Sequence, residues 1–299
     1  MFNKAIKKNV NQIELSSYIK SLISLMKPRV MSLVVFTCAV GFLTSNPNLK
    51  TFDAIIAIIL VALGSGAAGC LNMWYDADVD ALMTRTCLRP IPTGKINRQQ
   101  ALIFGILLTA FSVVSLNYFT NFLSAFLLFF TIAFYLFVYT IWLKRKTPQN
   151  IVIGGIAGSL PPVIGWTIST NSISLVPISL FLIIFFWTPS HFWALSLYKA
   201  DDYKKAKIPM MPITDGVEKT KLYILIYSLL MLPVVILPYV INFSGFIYII
   251  PVMMLTFYYN FLCIDLYRYK KNKFDLKKAK KVFGYSILYL FLIFVLFLL

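Results

Sequence analysis

The chain has 299 residues, 59% of them hydrophobic and 13% charged, and its mean hydropathy is +0.79. That composition excludes an ordinary soluble domain. The net charge of +17 does not point to nucleic acid, because the basic residues flank apolar runs, as in membrane topology signals.

Residues 1–27 read as a basic amphipathic lead-in lying on the membrane surface, with no cleavable signal peptide. Nine apolar runs follow at roughly 28–46, 53–75, 99–116, 121–142, 150–169, 174–198, 220–240, 244–263 and 282–299. Each approaches the ~20 residues needed to cross a bilayer as a helix. The runs are continuous and do not alternate, which predicts an all-α integral membrane protein of nine transmembrane helices and excludes a β-barrel. The domain organisation is therefore a lead-in, 1–27, and one transmembrane domain, 28–299.

With the N-terminus on the cytoplasmic side, the cytoplasmic parts are 1–29, 76–98, 143–149, 199–221 and 264–281. Lys50 is then the only one of the 28 basic residues outside them, so this orientation satisfies the positive-inside rule. An odd number of spans places the C-terminus outside. The four cysteines Cys38, Cys70, Cys87 and Cys263 are scattered without metal-like spacing and read as packing residues.

Acid is concentrated at two places on the cytoplasmic face. Seven of the eleven acidic residues fall in the loops 76–98 and 199–221. The first place is Asn72-Met-Trp-Tyr-Asp76-Ala-Asp78-Val-Asp80, with Arg85 and Arg89 just beyond. Asn72, Asp76 and Asp80 are four apart, so on a helix they share one face. Hard oxygen donors in that array suit Mg²⁺, which binds through one or two carboxylates plus substrate phosphate oxygens. The arginines suit a diphosphate, since guanidinium forks match phosphate oxygens. Gly64, Gly66 and Gly69, just upstream, allow close helix packing or close approach of substrate. The second place is Asp201-Asp202 and the residues up to Pro212. Alone it reads as a solvated loop. Paired with the first, it suggests two metals clamping one diphosphate.

The two places form a weak internal repeat. Asp80 precedes Pro90 by ten residues, and Asp202 precedes Pro212 by ten. Each block ends an apolar run, so a duplicated unit would bring both over one central cavity. A third block, Lys144-Arg145-Lys146, is either a topology signal only or reaches the diphosphate from the opposite wall, and Arg29 has the same standing. His191 is the only histidine. It is either a helix-packing hydrogen bonder or a ligand to a haem substrate.

These segments resemble the membrane-embedded UbiA-type prenyltransferase superfamily. Asn72 to Asp80 is similar to its Asn-x-x-x-Asp-x-x-x-Asp signature, and the block around Asp202 to its second acidic loop. Asp76-Ala-Asp78-Val-Asp80, His191-Phe-Trp-Ala-Leu195 and Ile208-Pro-Met-Met-Pro212 are most similar to the haem O synthase branch. One departure is Ala206, which stands where the superfamily's second loop has another aspartate four residues after Asp202.

The resemblance implies a UbiA-type fold around a central cavity, in the cell membrane. It implies transfer of the farnesyl group of farnesyl diphosphate to haem B, giving haem O. It also implies Mg²⁺ on Asn72, Asp76, Asp80 and Asp202, with diphosphate against Arg29, Arg85, Arg89, Lys144 and Arg145. The implied partners are farnesyl diphosphate, haem B and the bilayer, with haem A synthase or terminal oxidase assembly beyond them. Two other readings stay open: the same chemistry on a quinone-precursor ring, and a transporter, which would place its acids near the bilayer midplane.

Overall fold

A computed structural model describes residues 15–47, 49–268 and 276–299. Residues 1–14 of the predicted lead-in and 269–275 of the last basic loop lie outside them. The described residues are helical, in the order α1 (Leu15–Leu25), α2 (Pro28–Thr44), α3 (Thr51–Tyr75), α4 (Ala77–Leu82), α5 (Arg98–Phe119) and α6 (Phe122–Ala133). A π-helical segment, Phe134–Leu143, continues α6. Then come α7 (Asn150–Ser159), α8 (Pro161–Thr170), α9 (Leu175–Tyr198), α10 (Ala200–Lys205) and α11 (Met211–Thr214). Last are α12 (Val217–Val240), α13 (Phe246–Arg268) and α14 (Leu276–Leu296).

Among the described residues, eight helical stretches are long and apolar enough to span a membrane by themselves. A ninth span is reached when α1 and α2, bent by 52° at their junction, count as one. The predicted run 28–46 is α2, which has 17 residues and so falls just short alone. Boundaries shift most at the last two spans. Both α13 and α14 extend several residues past the apolar window, because their basic end turns are helical too. The predicted fifth span is two helices, α7 and α8, because Pro161 and Pro162 interrupt the backbone ladder at Leu160.

Among the described residues two large buried cores divide the bundle, and a smaller third is formed by Leu25, Cys70, Met73, Ile96 and Ala101. Leu60, Val61, Leu128, Val163 and Ile164 from α3, α6 and α8 centre the first. Ile183, Trp193, Val235, Val252 and Ile293 from α9, α12, α13 and α14 centre the second. Outward faces stay apolar, as at Phe111 and Val114 on α5 or Ile247 and Met254 on α13, which suits lipid contact. Lipid is as apolar as these side chains, so cohesion depends on close packing rather than on burial from water. The contact of α2 with α8 shows how close. A Cβ at Gly165 would lie 1.9 Å from the Cys38 carbonyl oxygen, and one at Gly41 2.1 Å from that of Pro162.

The basic segments gather at one end. Lys27 donates to Asn72, Arg98 Nε to the Trp74 carbonyl at 3.0 Å, and Arg145 Nη2 to the Tyr75 carbonyl at 3.4 Å. Lys280 lies over the Tyr198 ring at 5.9 Å. That convergence is what spans of alternating direction require.

Candidate functional site

At this end α3 meets α4 at Asp76 (φ −84°, ψ 8°). The Asp76 amide donates to the Asn72 carbonyl at 2.9 Å and the Asp80 amide to that of Asp76 at 2.8 Å, whereas the Trp74 and Tyr75 carbonyls accept from the Arg98 and Arg145 side chains, so the i to i+4 ladder opens on one side of the joint and holds on the side that carries the acids. Asn72, Asp76 and Asp80 therefore line one face, and all three are buried. Burying two carboxylates demands compensating partners, and the structure supplies them from four directions.

The Asn72 amide nitrogen donates to Asp76 Oδ2 at 2.8 Å and to Thr140 Oγ1 at 3.1 Å. Lys144 donates to the same Asp76 oxygen. Arg89 Nη1 pairs with Asp80 Oδ2 at 2.7 Å. Arg145 forks onto Asp78 at 2.8 and 2.9 Å, while its distance to Asp76 Oδ1 is 3.7 Å. That fork holds the Asp78 carboxyl below its ordinary range.

Local backbone features bring these groups together. Lys27 ends the turn between α1 and α2 with φ of 56°, a left-handed conformation that reverses the chain before Pro28. Met26 and Lys27 then lie against α3 where Gly66 and Gly69 leave room: a Cβ at Gly66 would meet the Met26 side chain at 2.7 Å. One turn further along α3 is Asn72, which Lys27 reaches. Opposite, the π-helical segment turns Thr140 toward Asn72 and Lys144 toward Asp76. The Lys144 amide bonds the Tyr139 carbonyl at 2.9 Å, an i to i+5 step that shifts the helix face. Such segments recur at functional sites.

The second acidic place meets the first through Thr84. Its hydroxyl lies 2.8 Å from both Asp202 oxygens, and its amide 3.4 Å from Oδ1. Asp202 is buried at the start of α10, a six-residue helix after α9, as α4 is a six-residue helix after α3. The sequence repeat thus coincides with two similar helix–helix joints, and Thr84, four residues beyond Asp80, ties the segment after the first to Asp202 of the second.

Among the other sequence candidates, Arg85 is exposed, within electrostatic reach of Tyr198 and Tyr203. Arg29 is exposed at the start of α2 and makes no side-chain contact with the acids; Lys27 takes the position expected of it. His191 is buried on α9, where Nδ1 contacts Ser286 Oγ of α14 at 2.7 Å. Trp187 and Phe283 stack on its ring at 4.2 and 4.6 Å. Sequence reasoning missed Lys27, Thr84 and Thr140 as site residues. Thr84 carried a signal, since 72, 76, 80 and 84 form one four-residue series.

The donor set accommodates a hard cation. Among the described residues no three acidic, histidine or cysteine side chains form a metal-binding group, so a cage of protein ligands is absent there. Mg²⁺ needs only one or two carboxylates when phosphate supplies the rest. Asp76 Oδ1 is buried with no hydrogen-bond partner, which leaves an acceptor for such an ion. Charge argues the same way. Lys27 reaches Asn72, while Arg89, Lys144 and Arg145 pair with Asp80, Asp76 and Asp78. That balance is near neutral, so an added diphosphate needs further positive charge.

The chain is a helical membrane bundle with a buried carboxylate, amide and cation cluster at one end. The chain belongs to the UbiA prenyltransferase family, whose model matches residues 33–298. It is 69% identical over all 299 residues, and over 98% of the relative, to a protoheme IX farnesyltransferase of Pelagibacter ubique. It is 49% identical to one of Parvibaculum lavamentivorans, over 92% of this chain and 86% of that one. Among solved structures, a digeranylgeranylglyceryl phosphate synthase aligns with a TM-score of 0.78 at 18% identity, covering 94% of this chain and 97% of that one. A UbiA homolog from Archaeoglobus fulgidus bound to DMAPP and Mg²⁺ aligns with a TM-score of 0.63 at 19% identity, covering 92% and 99%. The fold is all-α and of the UbiA type, and the protein is a multi-pass membrane prenyltransferase.

Proposed function

We propose that the protein transfers the farnesyl group of farnesyl diphosphate to a vinyl group of haem B, giving haem O and diphosphate. The observation that carries the prenyl-donor half is the buried Asn72–Asp76–Asp80 face with Lys27, Arg89 and Lys144 closing on it. The acceptor half rests on similarity to protoheme IX farnesyltransferases along the full chain. The site opens on the cytoplasmic side, where the basic segments lie, and a C-terminus outside follows from nine spans.

Asp76 and Asp80, with Asn72 and Asp202, would hold Mg²⁺, which supplies positive charge against the diphosphate. The chain's own cations do the rest. Lys144, Arg89 and Lys27 sit where they stabilise negative charge as the allylic carbon–oxygen bond breaks and its electron pair leaves with diphosphate. Arg85 and Arg145 lie at the margin. The vinyl group attacks the allylic carbon, water captures the cation formed on the vinyl substituent, and a proton is lost to solvent. No covalent enzyme intermediate is required; positioning and electrostatics supply the rate.

The test is purified protein in vesicles with farnesyl diphosphate, Mg²⁺ and either haem B or an aromatic quinone precursor, read by mass spectrometry. Haem O from haem B is expected. Prenylation of the aromatic ring alone would retain the donor site and overturn the acceptor.

A further inference from the structure

A second polar recess lies outside this cluster, between α1 and the segment that follows α4. It has a volume of about 230 Å³ and is lined by Ser17, Lys20, Ser21 and Ser24 on one side and Leu88, Pro90 and Lys95 on the other. The volume is several times a water's share of liquid, enough for a phosphate group. No acid is among its lining residues. Neither Lys20 nor Lys95 has an ion-pair partner among the described residues. The hydroxyls of Ser17 and Ser24 take no hydrogen bond there, while that of Ser21 donates to the Ser17 carbonyl at 2.9 Å.

Two lysines from opposite walls and free hydroxyls make a recess for a phosphate oxyanion. The surroundings say which phosphate. Leu15, Ile19 and Ile23 form an exposed apolar stripe on α1, and Leu88, which lines the recess, is 82% exposed. α1 is the end of the first span, bent by 52° from α2, and a helix end with such an exposed stripe lies at headgroup depth. The geometry points to a binding site for the phosphate headgroup of one anionic phospholipid, its acyl chains running beside Leu88. Both walls lead directly into the site: Lys27 stands two residues past the end of α1, and the second wall begins next to Arg89. A bound headgroup therefore pins the two segments that deliver those cations.

The experiment uses full-length protein reconstituted in vesicles of phosphatidylcholine and phosphatidylglycerol, then extracted for native mass spectrometry. Wild type retains one phosphatidylglycerol in preference to phosphatidylcholine. Each lysine near an anionic headgroup is worth enough that Lys20→Gln/Lys95→Gln lowers this retention about thirty-fold. The matched pair Lys204→Gln/Lys207→Gln, on exposed positions elsewhere, leaves it unchanged. Millimolar inorganic phosphate that fails to displace the lipid supports the headgroup. Phosphate that displaces it, with the same dependence on Lys20 and Lys95, assigns the recess to free phosphate and overturns the lipid. Equal retention by wild type and Lys20→Gln/Lys95→Gln, or equal loss in both double variants, overturns the site. None of these readouts depends on which substrate the enzyme farnesylates.

Discussion

Thr84→Val tests whether the two acidic places work as one unit. Valine keeps the shape and removes the hydroxyl whose oxygen lies 2.8 Å from both Asp202 oxygens. A hydroxyl has one proton, so the two contacts amount to one shared hydrogen bond, not two. A hydrogen bond to a charged group is worth about 1.5–3 kcal/mol. The value here falls toward the low end because Thr84 is exposed, while Asp202 is 7% exposed. The Thr84 amide, at 3.4 Å, is a weak remaining donor. A loss of about 1–2 kcal/mol corresponds to a fall of about 5- to 30-fold in kcat/KM for farnesyl transfer. The effect should concentrate in KM for the diphosphate substrate, because Asp202 is displaced rather than removed. The assay is steady-state haem O formation at varied farnesyl diphosphate, with thermal unfolding in detergent alongside. Unchanged kcat/KM would mean that Asp202 and the Asp80 face act independently, and the reasoning that couples them through the Thr84 segment would fail.

Lys144→Met should lower kcat/KM by about 100-fold, on the scale of a lost charge-stabilising donor. Arg145→Met should cost far less, because Arg145 is bound mainly to Asp78, an exposed carboxylate; steady-state kinetics on both variants decide this. Gly165→Leu should abolish the folded bundle, since a Cβ there overlaps the Cys38 carbonyl, whereas Gly158→Ala, with nothing within 4 Å, should be neutral. Size-exclusion profiles and melting temperatures in detergent separate the two.

The spans and the shared face of Asn72, Asp76 and Asp80 were readable in the chain because both depend on local periodicity. An apolar run marks α3 or α9 without knowledge of neighbours, and four-residue spacing places Asn72, Asp76 and Asp80 on one face wherever the helix goes. What could not be read depends on distant partners or on irregular backbone. Lys27 reaches Asn72, 45 positions away, only through a left-handed turn and the space beside Gly66. Thr140 and Lys144 face the site because of a π-helical segment, and nothing in Phe134–Leu143 distinguishes it from an ordinary apolar helix. Arg29 was the cation expected from this segment, and the turn brings Lys27, two residues earlier, to the site instead. His191 shows the same limit, since its Ser286 partner lies 95 positions further along the chain.

The central claim is that the Asn72–Asp76–Asp80 face holds the diphosphate through a divalent cation. The most direct measurement is calorimetric titration of a non-ionising farnesyl diphosphate analogue into reconstituted protein without haem. It should be run with Mg²⁺, with EDTA, and in Asp76→Asn. The account predicts Mg²⁺-dependent binding that EDTA abolishes and that the variant weakens by at least about 100-fold, the scale of a lost charged contact in a buried site. Equal affinity under all three conditions would contradict it.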